Sequence, residues 1–211
     1  MYRRNLRHSR VKNIFKFVSS KMNKVLTVES RLEFDTCFHL EYSPDISFIE
    51  AQPEGFIYPF QEKHLPYTPD FLIVDKGERK LIEVKPFKKT QSPEFQQRFS
   101  AKKAQADNFD IPLILVTEKQ IRVNPILNNL KLLHRYSGFQ SFTPLHLSFL
   151  KLVKRYKQIK VKDFITSCHV EQNVAVKTAL ALISSGMLHT NLSAQEISLD
   201  SIVWCSGHEE S

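Results

Sequence analysis

The segment PYTPDFLIVDKGERKLIEVKP, from Pro66 to Pro86, puts Asp70 directly after a proline and sets Glu83 and Lys85 two residues apart beyond two apolar runs. In an extended strand alternate residues share a face. Glu83 and Lys85 therefore project together, with Cα atoms about 6–7 Å apart, while Val84 turns to the opposite side. With DKGER as the turn of an antiparallel hairpin, Asp70 comes beside the end of KLIEVK and all three side chains converge. Two carboxylates with the Val84 carbonyl between them suit a hard cation such as Mg²⁺, with Mn²⁺ as a substitute, which takes oxygen ligands and keeps several waters. Such an ion polarises a phosphoryl oxygen and acidifies water, and a neighbouring lysine orients that water or offsets charge on the transition state. The chemistry is phosphodiester hydrolysis. A third carboxylate from a preceding helix would complete the shell, and Glu29 and Glu33 are both available, four residues apart on one helical face. Spacing leaves the choice between them open. The plainer reading is turn chemistry at Asp70 and a solvated strand face at Glu83 and Lys85.

The elements that must hold these residues follow from pattern. TVESRLEFDTCFHLEY has the spacing of an amphipathic helix, with Leu32, Cys37 and Leu40 near one face. ISFIEAQ, GFIYPF and DFLIVD are short apolar or alternating runs, separated by Gln52-Pro53, Gly55 and a His-Leu-Pro turn, and KLIEVKP is a fourth. Ser92-Pro93-Glu94 predicts a helix start, with Ser92 as cap and Pro93 at the first helical position. IPLILVTE predicts a strand buried on both faces, and PILNNLKLLHRY a further helix. SGFQSFTP at 137–144 reads as a linker. Beyond it LHLSFLKLVKRY, VKDFITSC and EQNVAVKTALALISSGML predict three helices, followed by two extended runs in HTNLSAQEISLDSIVW. Three helices and a hairpin outline a winged helix, although a plain helical bundle fits the helices equally well.

At 211 residues and 42% hydrophobic the chain can bury a core, which excludes disorder throughout. A net charge of +8 favours a polyanionic partner, nucleic acid first and an anionic membrane surface second. Arg3, Arg4, Arg7, Arg10, Lys12, Lys16, Lys21 and Lys24 precede the first acid, Glu29, and read as a phosphate-contacting arm, with a solvated tail or a transit peptide as alternatives. No apolar run approaches the ~18 residues of a membrane span, so a soluble protein is expected. Cys37, Cys168 and Cys205 are scattered, as reduced intracellular thiols would be, and no HExxH or paired Cys/His spacing occurs. His39 and His64 read as packing or surface residues, Trp204 as the anchor of the last strand, and Gln52 as either a support for the site or a turn constraint.

PDF followed by EVK, in a helix, three-strand, helix, strand order, resembles the PD-(D/E)xK nuclease superfamily. More narrowly, VESRLE, AQP, YTPDF, IEVKP and IPLILVTEKQIRVNP resemble the TnsA endonuclease family of Tn7-like transposons over roughly residues 25–140. The resemblance implies an α/β fold with a restriction-endonuclease-like αβββαβ core at 25–140, a basic arm at 1–24 and a winged-helix-like domain at 141–211. It implies Glu33, Asp70, Glu83 and Lys85 as catalytic residues, with Glu33, Asp70, Glu83 and the Val84 carbonyl as ligands of Mg²⁺. It further implies cleavage of the 5′, non-transferred strands of double-stranded DNA at transposon ends, while an RNase H-like transposase partner cuts the 3′ ends and an AAA+ ATPase regulates. The implied location is the bacterial cytoplasm, at the nucleoid. Elements of this kind choose targets through DNA-binding or CRISPR RNA-guided partners.

Some members carry glutamine at the position of Glu83, so a glutamate here strengthens the metal-ligand reading. In the second helix, where an acid contributes in at least one family pattern, the chain reads RFSAKKAQA, and Lys102 is the nearest match. Lys102 and Lys103 are then phosphate contacts or a solvated helix face. Two rivals make different predictions. A stand-alone restriction or repair nuclease would cut DNA without a partner, and a non-catalytic DNA-binding scaffold would tolerate a change at Glu83.

Overall fold

FKFVS and KVLTV alternate apolar and polar residues, and they pair as an antiparallel hairpin of β1 (Phe15–Ser19) and β2 (Lys24–Val28), with Phe17 opposite Leu26. A computed structural model describes residues 13–138 and 141–205. Arg3, Arg4, Arg7, Arg10 and Lys12 lie outside the described residues. The expected basic arm at 1–24 overlaps folded structure from Phe15 onward. The signal was the alternation in FKFVS, masked by its surrounding lysines.

Ser30 starts α1 (Arg31–Tyr42), its Oγ accepting the Glu33 N–H at 3.1 Å. The hairpin packs on this helix through aromatic rings, with Phe17 5.1 Å from Phe38 and 5.9 Å from Phe34 between centroids. Lys21, in the turn of the hairpin, donates from Nζ to the carbonyls of Leu40, Ser43 and Ile46 at 3.0, 2.6 and 2.8 Å. Its ammonium therefore gathers carbonyls at and beyond the end of α1, and is not held out to a phosphate.

Five strands follow: β3 (Ile46–Ala51), β4 (Phe56–Phe60), β5 (Lys63–Tyr67), β6 (Phe71–Asp75) and β7 (Glu78–Val84). The strand β5 departs from expectation, because His-Leu-Pro reads as a turn. In the structure Pro66 pairs with Ile57 in the two-stranded β4–β5 ribbon, where a missing ladder donor is tolerated. After β7 come a short helix α2 (Phe87–Thr90), then α3 (Pro93–Asp107), whose Ser92 cap accepts the Phe95 N–H at 3.2 Å. The strand β8 (Leu113–Val116) then runs parallel to β7. The main sheet has the order β3-β6-β7-β8, with the other pairings antiparallel.

This mixed sheet fits a nuclease-like core. Its α3 side is packed by Tyr58, Tyr67, Leu72, Leu81, Ala106 and Leu113. The strand β8 is not buried on both faces as expected. It is the sheet's edge, and Ile114 is 40% exposed. The helix α4 (Glu118–Ile121) then returns to α1, where His39 Nε2 lies 2.7 Å from the Ile121 carbonyl, a packing role for this histidine.

A first compact unit ends at Val123 and a second begins at Asn124. The second contains α5 (Ile126–His134), α6 (Pro144–Tyr156), β9 (Gln158–Lys160), α7 (Val161–Cys168), α8 (Gln172–Ser184), β10 (His189–Thr190) and β11 (Ile202–Trp204). The three strands form an antiparallel sheet in the order β10-β11-β9. Phe149 and Phe164 stack at 4.0 Å in its core, among buried Val153, Val161 and Leu180. The expected boundary at 140/141 falls after α5, a helix that packs on α8. From α5 the buried Asn129 holds the loop between β10 and β11, donating to the carbonyls of Leu192 and Gln195 at 2.9 and 2.8 Å and accepting the Ile197 N–H at 2.9 Å. Trp204 sits in β11, its ring 6.4 Å from that of His189.

Candidate active site

Lys76 and Gly77 turn the β6–β7 hairpin, both at positive φ, 51° and 85°, as a tight two-residue turn requires. The resulting register sets Phe71 opposite Ile82, and the Asp70 N–H donates to the Ile82 carbonyl at 2.9 Å. Asp70 thereby arrives beside the end of β7. Its Oδ2 accepts the Val84 N–H at 2.7 Å and Lys85 Nζ at 3.1 Å. The same ammonium lies 3.2 Å from Glu83 Oε1 and donates to the Val84 carbonyl at 3.1 Å. Asp70, Glu83 and Lys85, separated by a hairpin in sequence, share one point in space.

Glu33 approaches from α1. It is buried, and its Oε2 accepts the Glu29 N–H at 3.0 Å and the Gln52 amide at 3.5 Å. Gln52 holds φ at 50° and donates its own N–H to the Asp70 carbonyl at 2.9 Å, so it ties the Glu33 carboxylate to the strand end that carries Asp70. Of the two helical candidates, Glu33 is the buried one whose charge bears on Asp70. Glu29 is half-buried and contributes a main-chain donor to Glu33.

Two residues add to what spacing revealed. Tyr67, at the end of β5, donates its hydroxyl to Glu83 Oε2, and Lys102, from α3, lies 3.3 Å from Glu83 Oε1 and 4.0 Å over the Tyr67 ring. The Lys102 side chain is 15% exposed, which removes it from the solvated face expected for it. Lys103 is exposed as that reading requires. Tyr67 was hidden by the unrecognised β5, although its place three residues before Asp70 was the available signal.

Crowding three acids has electrostatic consequences. Burial pushes the Asp70 carboxyl up to about 7, with the Glu83 and Glu33 charges adding to the rise and Lys85 and the Val84 N–H opposing it. Burial would raise Glu83 too, but Lys85, Lys102 and the Tyr67 hydroxyl outweigh it and hold this carboxyl below its ordinary range. For Lys85 burial disfavours the charge, yet the Asp70 and Glu83 carboxylates overcome it and raise the ammonium above its usual value. Lys102 moves the other way, since burial prevails over the pull of Glu83. Burial and the Glu83 charge drive the Tyr67 phenol far up, so it remains a donor.

Among the described residues, no group of three or more His, Cys, Asp or Glu side chains is placed to hold a metal ion. What the site does offer is a convergent oxygen set around a cation. Asp70 Oδ2, Glu83 Oε1 and the Val84 carbonyl all lie 3.1–3.2 Å from Lys85 Nζ, whose ammonium stands in for a positive ion. Two carboxylates and a carbonyl are ligands suited to a hard divalent ion, so the residues present fit Mg²⁺.

Residues 43–118 match the family model described as TnsA-like endonuclease N terminal. These residues are similar to a TnsA-like endonuclease domain. The match runs from the residues just before β3 into α4 and takes in Asp70, Glu83, Lys85 and Lys102, while Glu33 precedes it. A TnsA-like domain suggests a nuclease role in Tn7-like transposition, a process in which the family works with other transposase subunits and DNA. No curated protein matches the chain. Among the described residues, no helix is long and apolar enough to cross a membrane.

Proposed function

We propose that this protein is a Mg²⁺-dependent DNA endonuclease that cuts the 5′, non-transferred strands at transposon ends. The observation that carries the reading is the convergence of Asp70, Glu83 and the Val84 carbonyl on the Lys85 ammonium inside the TnsA-like segment. Asp70, Glu83 and the Val84 carbonyl would hold the ion, with Glu33, whose charge bears on Asp70, behind them. When bound, it polarises the scissile phosphate and lowers the pKa of water. Lys85 orients the attacking water and offsets charge as it builds on the phosphoryl oxygens. Tyr67 keeps Glu83 aimed into the site through its hydroxyl, and Gln52 keeps Glu33 close to Asp70.

The second unit serves as the DNA-binding partner of this site. Its order of two helices, strand, two helices and two strands, with the strands closed into a β10-β11-β9 sheet, supports a winged helix over a plain bundle. An RNase H-like transposase cuts the 3′ ends, and an AAA+ ATPase licenses the pair, in the bacterial cytoplasm at the nucleoid. The test is a reconstituted excision reaction with a partner RNase H-like transposase. The 5′-strand breaks should vanish in EDTA, return with Mg²⁺ or Mn²⁺, and be absent without the transposase. Breaks that persist in EDTA would sink the metal reading, and efficient cutting by the chain alone would favour a stand-alone nuclease.

A further inference from the structure

The region around Glu83 is more closed than a carboxylate serving two metal ions would be. Sites with two divalent ions hold them about 3.5–4 Å apart and need carboxylate oxygens that bridge or serve each ion. Here Glu83 Oε2 is taken by the Tyr67 hydroxyl. Glu83 Oε1 is shared between Lys85 on one side, at 3.2 Å, and Lys102 on the other, at 3.3 Å. Lys85 reaches past Glu83 to Asp70 and the Val84 carbonyl, so its ammonium sits at the convergent oxygen set. Lys102 is packed over the Tyr67 ring and buried to 15% exposure. It therefore occupies the far flank of Glu83 as a fixed part of the fold.

The charge balance points the same way. When ionised, Glu33, Asp70 and Glu83 bring three negative charges, and Lys85 and Lys102 return two positive ones. The cluster is left with one net negative charge. A single divalent ion reverses that to one positive charge, which matches the single negative charge of a phosphodiester. A second divalent ion would leave a large uncompensated excess in a buried site, where unpaired charge is costly.

We infer that the site takes one divalent ion at a time, and that Lys102 is a positioning residue that fills, with its own ammonium, the flank of Glu83 where a second ion would bind. This rests on the metal-dependent nuclease reading above. Lys102 acts through Glu83: its ammonium takes up Oε1, the oxygen that also belongs to the convergent set with Asp70 and Val84, and so leaves that oxygen no place for a second ion.

The experiment counts Mn²⁺ bound per full-length chain at saturation, by equilibrium dialysis with elemental analysis and by electron paramagnetic resonance. The native chain should hold one ion, and Asp70→Asn should lose it, which places that ion in the site. Lys102→Arg, which keeps the charge, should also hold one. Lys102→Glu, which replaces the resident cation by a ligand, should hold two. The native count needs no variant and decides by itself. Two ions on the native chain, both lost in Asp70→Asn, would overturn the one-ion inference and leave the nuclease reading standing. No ion on the native chain would overturn both. A count of one in a folded Lys102→Glu chain would remove Lys102 as the element that excludes the second ion.

Discussion

Asp70→Asn should change how the stability of the metal-free protein depends on pH. Asp70 holds its proton up to about pH 7 in the folded chain, against about 3.9 for an unfolded aspartate. Between these values the folded chain carries a proton that the unfolded chain has lost. Stability must then fall as pH rises, by about 1.4 kcal/mol per unit and by at most about 4 kcal/mol across the whole window. Glu83, held below its ordinary value, is ionised in both states over the upper part of this window and adds no slope there. Above pH 7 both states have released the Asp70 proton and the fall stops. Asn carries no titratable proton, so the variant should lack the slope. Urea unfolding of the full chain in EDTA, at pH 5 and at pH 7.5, measures the difference directly. The native protein should lose about 2–3 kcal/mol more than Asp70→Asn between these two conditions. Parallel losses in the two proteins would refute the buried, mutually repelling acids described here.

Two further changes probe the supports of the site. Tyr67→Phe removes the hydroxyl donor to Glu83 and should slow 5′-strand cleavage by about 10- to 100-fold, as expected for one hydrogen bond to a charged group, with circular dichroism unchanged. Lys21→Met strips the ammonium from three carbonyls and should lower stability by about 2–3 kcal/mol, read by urea unfolding, without weakening DNA binding at moderate salt.

The convergence of Asp70, Glu83 and Lys85 was legible because strand geometry is rigid: a period of two and a tight turn leave little freedom in where such side chains go. Helix α1 was legible from its spacing but its start was not: Thr27 and Val28 belong to β2, and Ser30 caps the helix. What spacing left open was set by tertiary contacts. Helical spacing would set Glu29 and Glu33 on one face, but α1 begins only at Arg31, so Glu29 precedes the helix, and the Gln52 amide and the charge of Glu33 on Asp70 mark Glu33 in the folded chain. Lys102 looks like one of a solvated pair with Lys103 until α3 is laid across the sheet, which turns Lys102 inward and Lys103 outward. The hairpins β1–β2 and β4–β5 were obscured by composition, lysines in one and Pro66 in the other, although each keeps the alternation of a strand. Asn129 lies in a helix that sequence order assigns to the first domain, and its hydrogen bonds tie it to the β10–β11 loop.

Strand-resolved mapping of DNA breaks in the reconstituted excision reaction, comparing the native chain with Asp70→Ala and Lys85→Ala, decides whether these side chains cut the 5′ strands. Both variants should lose the 5′-strand breaks at the transposon ends while the partner's 3′-strand breaks remain. Intact 5′-strand cleavage by either folded variant would contradict that role.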